Sequence, residues 1–121
     1  MDAISMLRTA VILFTLTAVL GLVMGGIRFG RGANPPAWLS LVHGLLAGAG
    51  LTLVLYAALV VGVPTSAKIG AGLLLVAAAG GLVMNLGYHW KQRLDPASIV
   101  VLHAILAVVG FIMLVLAAFG A

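Results

Sequence analysis

The sequence predicts an all-α integral membrane protein, a four-transmembrane-helix bundle made of two parallel two-helix repeats. Of the 121 residues, 64% are hydrophobic and only 7% are charged, whereas charged residues make up about 25% of soluble globular domains. The apolar residues form four long blocks, and the chain aligns with itself at an offset of sixty residues. These observations predict a single membrane domain over residues 1–121, in contact with the lipid bilayer.

Each apolar block is long enough to cross a membrane, because a transmembrane helix needs roughly 20 apolar residues. The uncharged blocks cover residues 9–27, 37–63, 69–88 and 97–121. We therefore expect helices at about 5–27, 37–62, 67–89 and 97–119. No further segment is left for a soluble catalytic domain.

The internal repeat divides the chain into residues 1–60 and 61–121. The motif GLVM occurs at 21–24 and 81–84, and Pro36, His43 and Gly50 recur as Pro96, His103 and Gly110. Each copy holds two helices, so both copies enter the membrane in the same direction. Such repeats are related by a pseudo-two-fold axis along the membrane normal, which places His43 and His103 at the same depth.

The connections between helices predict the orientation in the membrane. Proline fits the first turn of a helix, so Pro36 and Pro96 mark the starts of the second and fourth helices, and Asp95 is a candidate N-cap of the fourth. The connections 27–36 and 88–96 carry four of the six cations: Arg28, Arg31, Lys91 and Arg93. By the positive-inside rule these loops face the cytoplasm and both termini lie outside, as in a bacterial inner-membrane protein.

His43 and His103 are the candidate functional residues. An unpaired buried polar group costs roughly 2–7 kcal/mol, and the two acidic residues of the chain, Asp2 and Asp95, both lie outside the predicted spans. Positions i+4 and i+7 share the face of residue i in a helix, and here they are small: Ala47 and Gly50 after His43, Ala107 and Gly110 after His103. Such a strip either lets helices pack closely or leaves room for a flat ligand.

A planar macrocycle accounts for both the paired histidines and the small residues. Haem iron accepts imidazole nitrogen as an axial ligand, so His43 and His103 are the predicted ligands of one haem b. The candidate partners of its propionates are Arg28, Arg31, Lys91 and Arg93, through charge-assisted hydrogen bonds. The other interpretations are hydrogen bonds to a neighbouring helix, a metal site or a proton path. Structural zinc is disfavoured because it requires four ligands.

This arrangement resembles the small bis-histidine b-type cytochromes, which include the bacterial cytochrome b561-like electron carriers and the haem-bearing anchor subunits of respiratory dehydrogenases. The resemblance lies in the four-helix architecture and in His43 and His103. It implies electron transfer to or from a quinone or a partner redox subunit, within a homo-oligomer or a larger complex. The alternative function is a non-catalytic accessory or assembly subunit of a membrane complex, in which the histidines are structural.

The cysteine content, the distribution of cations and His89 give further information on function. The chain has no cysteine, which excludes disulfides and cysteine-ligated iron–sulfur clusters. Its cations are too few and too dispersed to predict nucleic-acid binding. His89 has no histidine counterpart in the first repeat, and its position between Tyr88 and Trp90 predicts a place in the interfacial aromatic belt. A quinone or propionate contact is the alternative role for His89.

Overall fold

The computed structural model describes residues 1–120, and over that range it is a bundle of four helices. The helices are α1 (Ala3–Arg31), α2 (Ala37–Val61), α3 (Thr65–His89) and α4 (Ala97–Phe119). All four are long and apolar enough to cross a membrane, which confirms the predicted all-α fold. The predicted helix ends agree to within a few residues, and α1 deviates most because it extends four residues further at its C-terminus.

Local sequence explains where α1 begins and ends. Its first turn is capped by Asp2, whose Oδ1 accepts a hydrogen bond of 2.8 Å from the backbone N–H of Ser5. Its last turn carries Arg28 and Arg31, whose positive charge is favourable at a helix C-terminus. The helix then ends at Gly32, which adopts the left-handed conformation with φ of 61°, a conformation that glycine adopts without steric cost.

Helices α2 and α4 start at Ala37 and Ala97, as predicted, whereas the two prolines lie just before the first turn in which they were expected. Pro36 and Pro96 are the N-cap residues of these helices and precede the first helical position. The expectation that Asp95 caps α4 is wrong, because no side chain caps this helix. The Asp95 carboxylate instead contacts His89.

Two helices end in a wider π-helical turn. These turns are Ala57–Val61 in α2 and Asn85–His89 in α3. In α3 the turn is closed by a hydrogen bond of 3.0 Å from Trp90 N–H to the carbonyl of Asn85. A π-turn shifts the residues that follow it around the helix axis, and such turns are frequent at functional sites. This one places His89 at the loop end of the bundle.

Neighbouring helices pack in the order α1–α2–α3–α4, with α4 returning to α1. Helices α2 and α4 therefore lie on one diagonal of the bundle. The outward faces of the helices are apolar, with side chains such as Leu22 (78% exposed) and Leu59 (82% exposed) on the surface. These faces meet the lipid, because a soluble domain rarely exposes contiguous apolar patches of this extent.

The burial pattern repeats at the offset of sixty residues. In α1 the buried residues are Leu7, Ala10, Val11, Phe14 and Thr17. In α3 they are Ala67, Gly70, Ala71, Leu74 and Ala77, each sixty positions later. The internal sequence repeat therefore corresponds to a repeat in packing.

The hydrophobic core occupies only the half of the bundle near the termini. It consists of Leu7, Ala10, Val11, Phe14, Val54, Ala67, Ala71, Leu74, Leu114 and Ala118. In the half between Thr17 or Ala77 and the loops, Leu39 is the one buried hydrophobic side chain among the described helical residues. The histidine-bearing half therefore buries fewer side chains than the terminal half.

Candidate functional site: two facing histidines

The imidazole rings of His43 and His103 meet inside the loop half of the bundle. Their centroids are 6.3 Å apart and their planes are inclined at 58°. Since α2 and α4 lie on a diagonal, the two rings approach each other across the centre of the bundle rather than along a helix seam. Both residues are partly buried.

Each histidine is held by the preceding helix of its own repeat. Nδ1 of His43 lies 2.9 Å from the carbonyl oxygen of Thr17, and Nδ1 of His103 lies 2.6 Å from the carbonyl oxygen of Ala77. A carbonyl oxygen only accepts hydrogen bonds, so Nδ1 carries the proton and donates in both residues. Thr17 and Ala77 are themselves sixty positions apart, so the two contacts are repeat-related.

The same contact fixes which ring nitrogen is available for a ligand. With the proton on Nδ1, each Nε2 carries an unshared electron pair. Neither Nε2 has a hydrogen-bond partner within residues 1–120. Metal-binding histidines typically show this arrangement, in which one nitrogen donates to a backbone carbonyl and the other binds the metal.

Two repeat-related glycines lie against the histidine rings. A Cβ atom added at Gly21 would be 3.1 Å from Cε1 of His43, and one added at Gly81 would be 3.4 Å from Cε1 of His103. The first distance is shorter than an ordinary van der Waals contact, so a larger residue at Gly21 would displace the ring. Because Gly21 and Gly81 lack a Cβ, the imidazoles of α2 and α4 pack directly against α1 and α3.

The spacing of the rings fits two imidazoles that share one metal ion. Imidazole nitrogen binds zinc at about 2 Å, so two such bonds and the radii of two rings span roughly 6 Å between centroids. No group of three or more His, Cys, Asp or Glu side chains able to hold a metal occurs in the described chain. A centre at this place thus needs an ion whose remaining ligands come from elsewhere, as the ring nitrogens of a porphyrin would provide.

The predicted small residues after each histidine lie in different surroundings. Ala47 and Ala107 are partly buried. Gly50 is packed against Phe14, where a Cβ would come within 2.9 Å of the ring, and a Cβ at Gly110 would come within 2.9 Å of Leu74. These two glycines therefore allow close helix packing, and the space around them is already filled.

The four predicted propionate partners lie at the loop end of the bundle, and Arg28 already has a hydrogen-bond partner within the protein. Arg28 donates from Nε to the backbone carbonyl of Asp95 at 2.9 Å. Arg31 and Lys91 are exposed, and the exposed Arg93 guanidinium lies 5.4 Å from the centroid of the Tyr88 ring. None of the four side chains forms an ion pair in the described part of the protein.

A second polar cluster, which the sequence did not predict, lies at the same end. His89 contacts Asp95 through Nε2 and Oδ2 at 2.5 Å. Asn34 joins the two loops, accepting a hydrogen bond from Asp95 N–H at 3.0 Å and donating one to the Arg93 carbonyl at 2.7 Å. His89 is thus a partly buried residue with a carboxylate partner and not only a member of an aromatic belt.

Comparisons with known protein families, characterised proteins and solved structures find no match for this chain.

Proposed function

We propose that the protein is a membrane b-type cytochrome that binds one haem between His43 and His103 and transfers single electrons. The observation that carries this proposal is the pair of repeat-related histidines, 6.3 Å apart, each donating from Nδ1 and leaving Nε2 free. A bound haem would supply the one-electron redox chemistry, while the protein would tune it through ligands, burial and nearby charge.

The residues of the chain have distinct roles in this proposal. His43 and His103 bind the iron, and the carbonyl groups of Thr17 and Ala77 orient the two imidazoles. Gly21 and Gly81 allow the rings to pack against α1 and α3. The apolar, lipid-facing helices would limit the access of solvent to the centre.

One haem nearer to one membrane face does not by itself carry an electron across the bilayer. The proposal therefore includes a redox partner, either a quinone or another redox subunit, with the chain acting alone, as a homo-oligomer or within a larger complex. With the loop arginines and lysine placed in the cytoplasm of a bacterium, the haem lies nearer to the cytoplasmic face of the inner membrane.

The alternative function, an accessory or assembly subunit with structural histidines, is favoured by the hydrogen bonds themselves, because they already satisfy Nδ1 of each ring. It gives no reason for two Nε2 atoms without partners that lie on facing rings. The two functions differ in whether the histidines are needed for a cofactor or only for stability.

Ligand variants test the proposal. His43→Ala and His103→Ala, purified in detergent with ample haem, are each expected to lose the six-coordinate spectrum of the wild-type protein and most of its haem. The control is Trp90→Phe, at an exposed residue of the loop end, which should retain both. Haem content and spectrum unchanged in both alanine variants would contradict the assignment of the ligands.

A further inference from the structure

The loop end of the bundle departs from the symmetry of the repeats. Its polar residues occupy positions where the other repeat is apolar: His89 against Phe29, Asp95 against Pro35, Ser40 against Val100 and Asn34 against Leu94. The histidine centre is thus built from equivalent residues of both repeats, whereas the polar cluster beside it is built once. The bundle therefore has one such polar cluster, at its loop end.

His89 and Asp95 form the centre of this cluster. Asp95 is only 4% exposed, and its Oδ1 has no hydrogen-bond partner among residues 1–120. Its Oδ2 lies 2.5 Å from Nε2 of His89, so the imidazole donates from Nε2. Nδ1 of His89 is then the nitrogen that gains or loses a proton, and the contact with Asp95 persists in both states.

A cavity at the loop surface reaches His89 of this pair. It has a volume of about 380 Å³ and is lined by Asn34, Pro35, Ala37, His89, Gln92, Arg93 and Leu94. A polar cavity of this size has room for several water molecules, which would carry protons between the aqueous phase and His89. The charged side chains around the pair are Arg28 from α1 and Arg93 from the α3–α4 loop.

The pair also lies close to the histidine centre. Nδ1 of His89 is 3.5 Å from Oγ of Ser40, a long contact. Ser40 precedes His43 by three residues, which is about 4.5 Å along the helix and on the same helix face. Ser40 thus separates the His89–Asp95 pair from one proposed iron ligand by a single helical turn.

We propose that His89 and Asp95 form a proton-exchange site whose occupancy follows the oxidation state of the centre between His43 and His103. This inference rests on the proposed function. If the centre took up one electron from a quinol or a reduced partner subunit, one proton would move from water in the cavity to Nδ1 of His89, and on oxidation the electron and the proton would both leave. The added negative charge is thereby balanced by one positive charge.

The experiment measures the midpoint potential of the haem-loaded protein as a function of pH. One proton per electron changes the equilibrium tenfold per pH unit, so the potential should fall by up to about 59 mV per unit as pH rises. His89→Phe, which introduces the residue of the first repeat, should abolish most of this slope. Asp95→Asn should weaken it, since it removes the carboxylate that accepts from His89. Trp90→Phe should leave it unchanged.

A second readout does not depend on the potential. Reduction of the wild-type protein in weakly buffered solution should take up as much as one proton per haem, measured with an indicator dye, and His89→Phe should take up far less. Equal slopes and equal proton uptake in wild type, His89→Phe and Asp95→Asn would overturn the inference while leaving the haem assignment intact. A wild-type protein that binds no haem would overturn the proposed function, and this inference with it.

Discussion

The imidazole rings of His43 and His103 face each other across the bundle at 6.3 Å, although they lie sixty residues apart on helices that share a diagonal. Each ring is fixed by a carbonyl group of the preceding helix, and the two carbonyls are also sixty residues apart. The sequence repeat thus reproduces the histidine, the carbonyl group that accepts its hydrogen bond and the glycine beside its ring in both halves of the bundle.

Displacing the His43 ring from its contact with α1 should prevent cofactor binding. Gly21→Leu places a branched side chain where even a Cβ would be 3.1 Å from the His43 ring, so we expect this variant to remain helical but to bind little haem. The measurement is haem content per chain after purification with excess haem. Gly25→Leu, at a position with no atom within 4 Å of an added Cβ, is the matched control. Equal haem content in Gly21→Leu and wild type would contradict the placement of the cofactor.

Helices α3 and α4 approach each other closely at Gly70, so a side chain at this position should destabilise the protein. A Cβ at Gly70 would be 2.9 Å from the backbone oxygen of Gly110, and overpacking of this kind costs typically 1–3 kcal/mol. Gly70→Ala is therefore expected to unfold at lower temperature in detergent, as followed by circular dichroism. Gly72→Ala, in open space on the same helix, should be neutral or slightly stabilising, because alanine favours the helix. A similar loss in both variants would show that the effect is not caused by close packing.

The backbone of one residue in the α3–α4 loop, Gln92, is strained, and its equivalent in the first repeat is a glycine. Gln92 adopts a left-handed conformation with φ of 56°, and its repeat equivalent, Gly32, has φ of 61°. A residue other than glycine pays roughly 1–2 kcal/mol in this region. Gln92→Gly should therefore raise the thermal stability, and Gly32→Gln should lower it. A Gln92→Gly variant less stable than wild type would mean that the glutamine side chain contributes more than the strain costs.

Sequence reasoning recovered the fold because the governing signals are long. Four apolar blocks define four helices whatever their packing, and the repeat places His43 and His103 at one depth. The ends of α1 were predicted less accurately. This helix extends beyond its apolar block, because Asp2 caps its first turn and its last turn contains Arg28 and Arg31. Pro36 and Pro96 marked the starts of α2 and α4 correctly, at residues 37 and 97.

The parts of the site that were missed depend on which helices become neighbours. The i+7 rule placed Gly50 on the face of His43, yet that position is covered by Phe14 of α1. The glycines beside the rings are Gly21 and Gly81, and their recurrence in the GLVM motif was the available signal. The contact between His89 and Asp95 depends on the π-turn of α3 and on the loop conformation, neither of which leaves a pattern in the sequence.

The proposed function requires that one haem binds between His43 and His103, and the measurement to make is the visible absorption spectrum of the detergent-purified protein. The protein is titrated with haem, and the spectrum is recorded oxidised and then after reduction with dithionite. We expect saturation at one haem per chain, with a Soret band and sharp α and β bands of a low-spin, six-coordinate reduced haem, if the proposed function holds. A protein that stays colourless with excess haem would contradict it and would support the accessory-subunit function, with histidines that serve the packing of the helices.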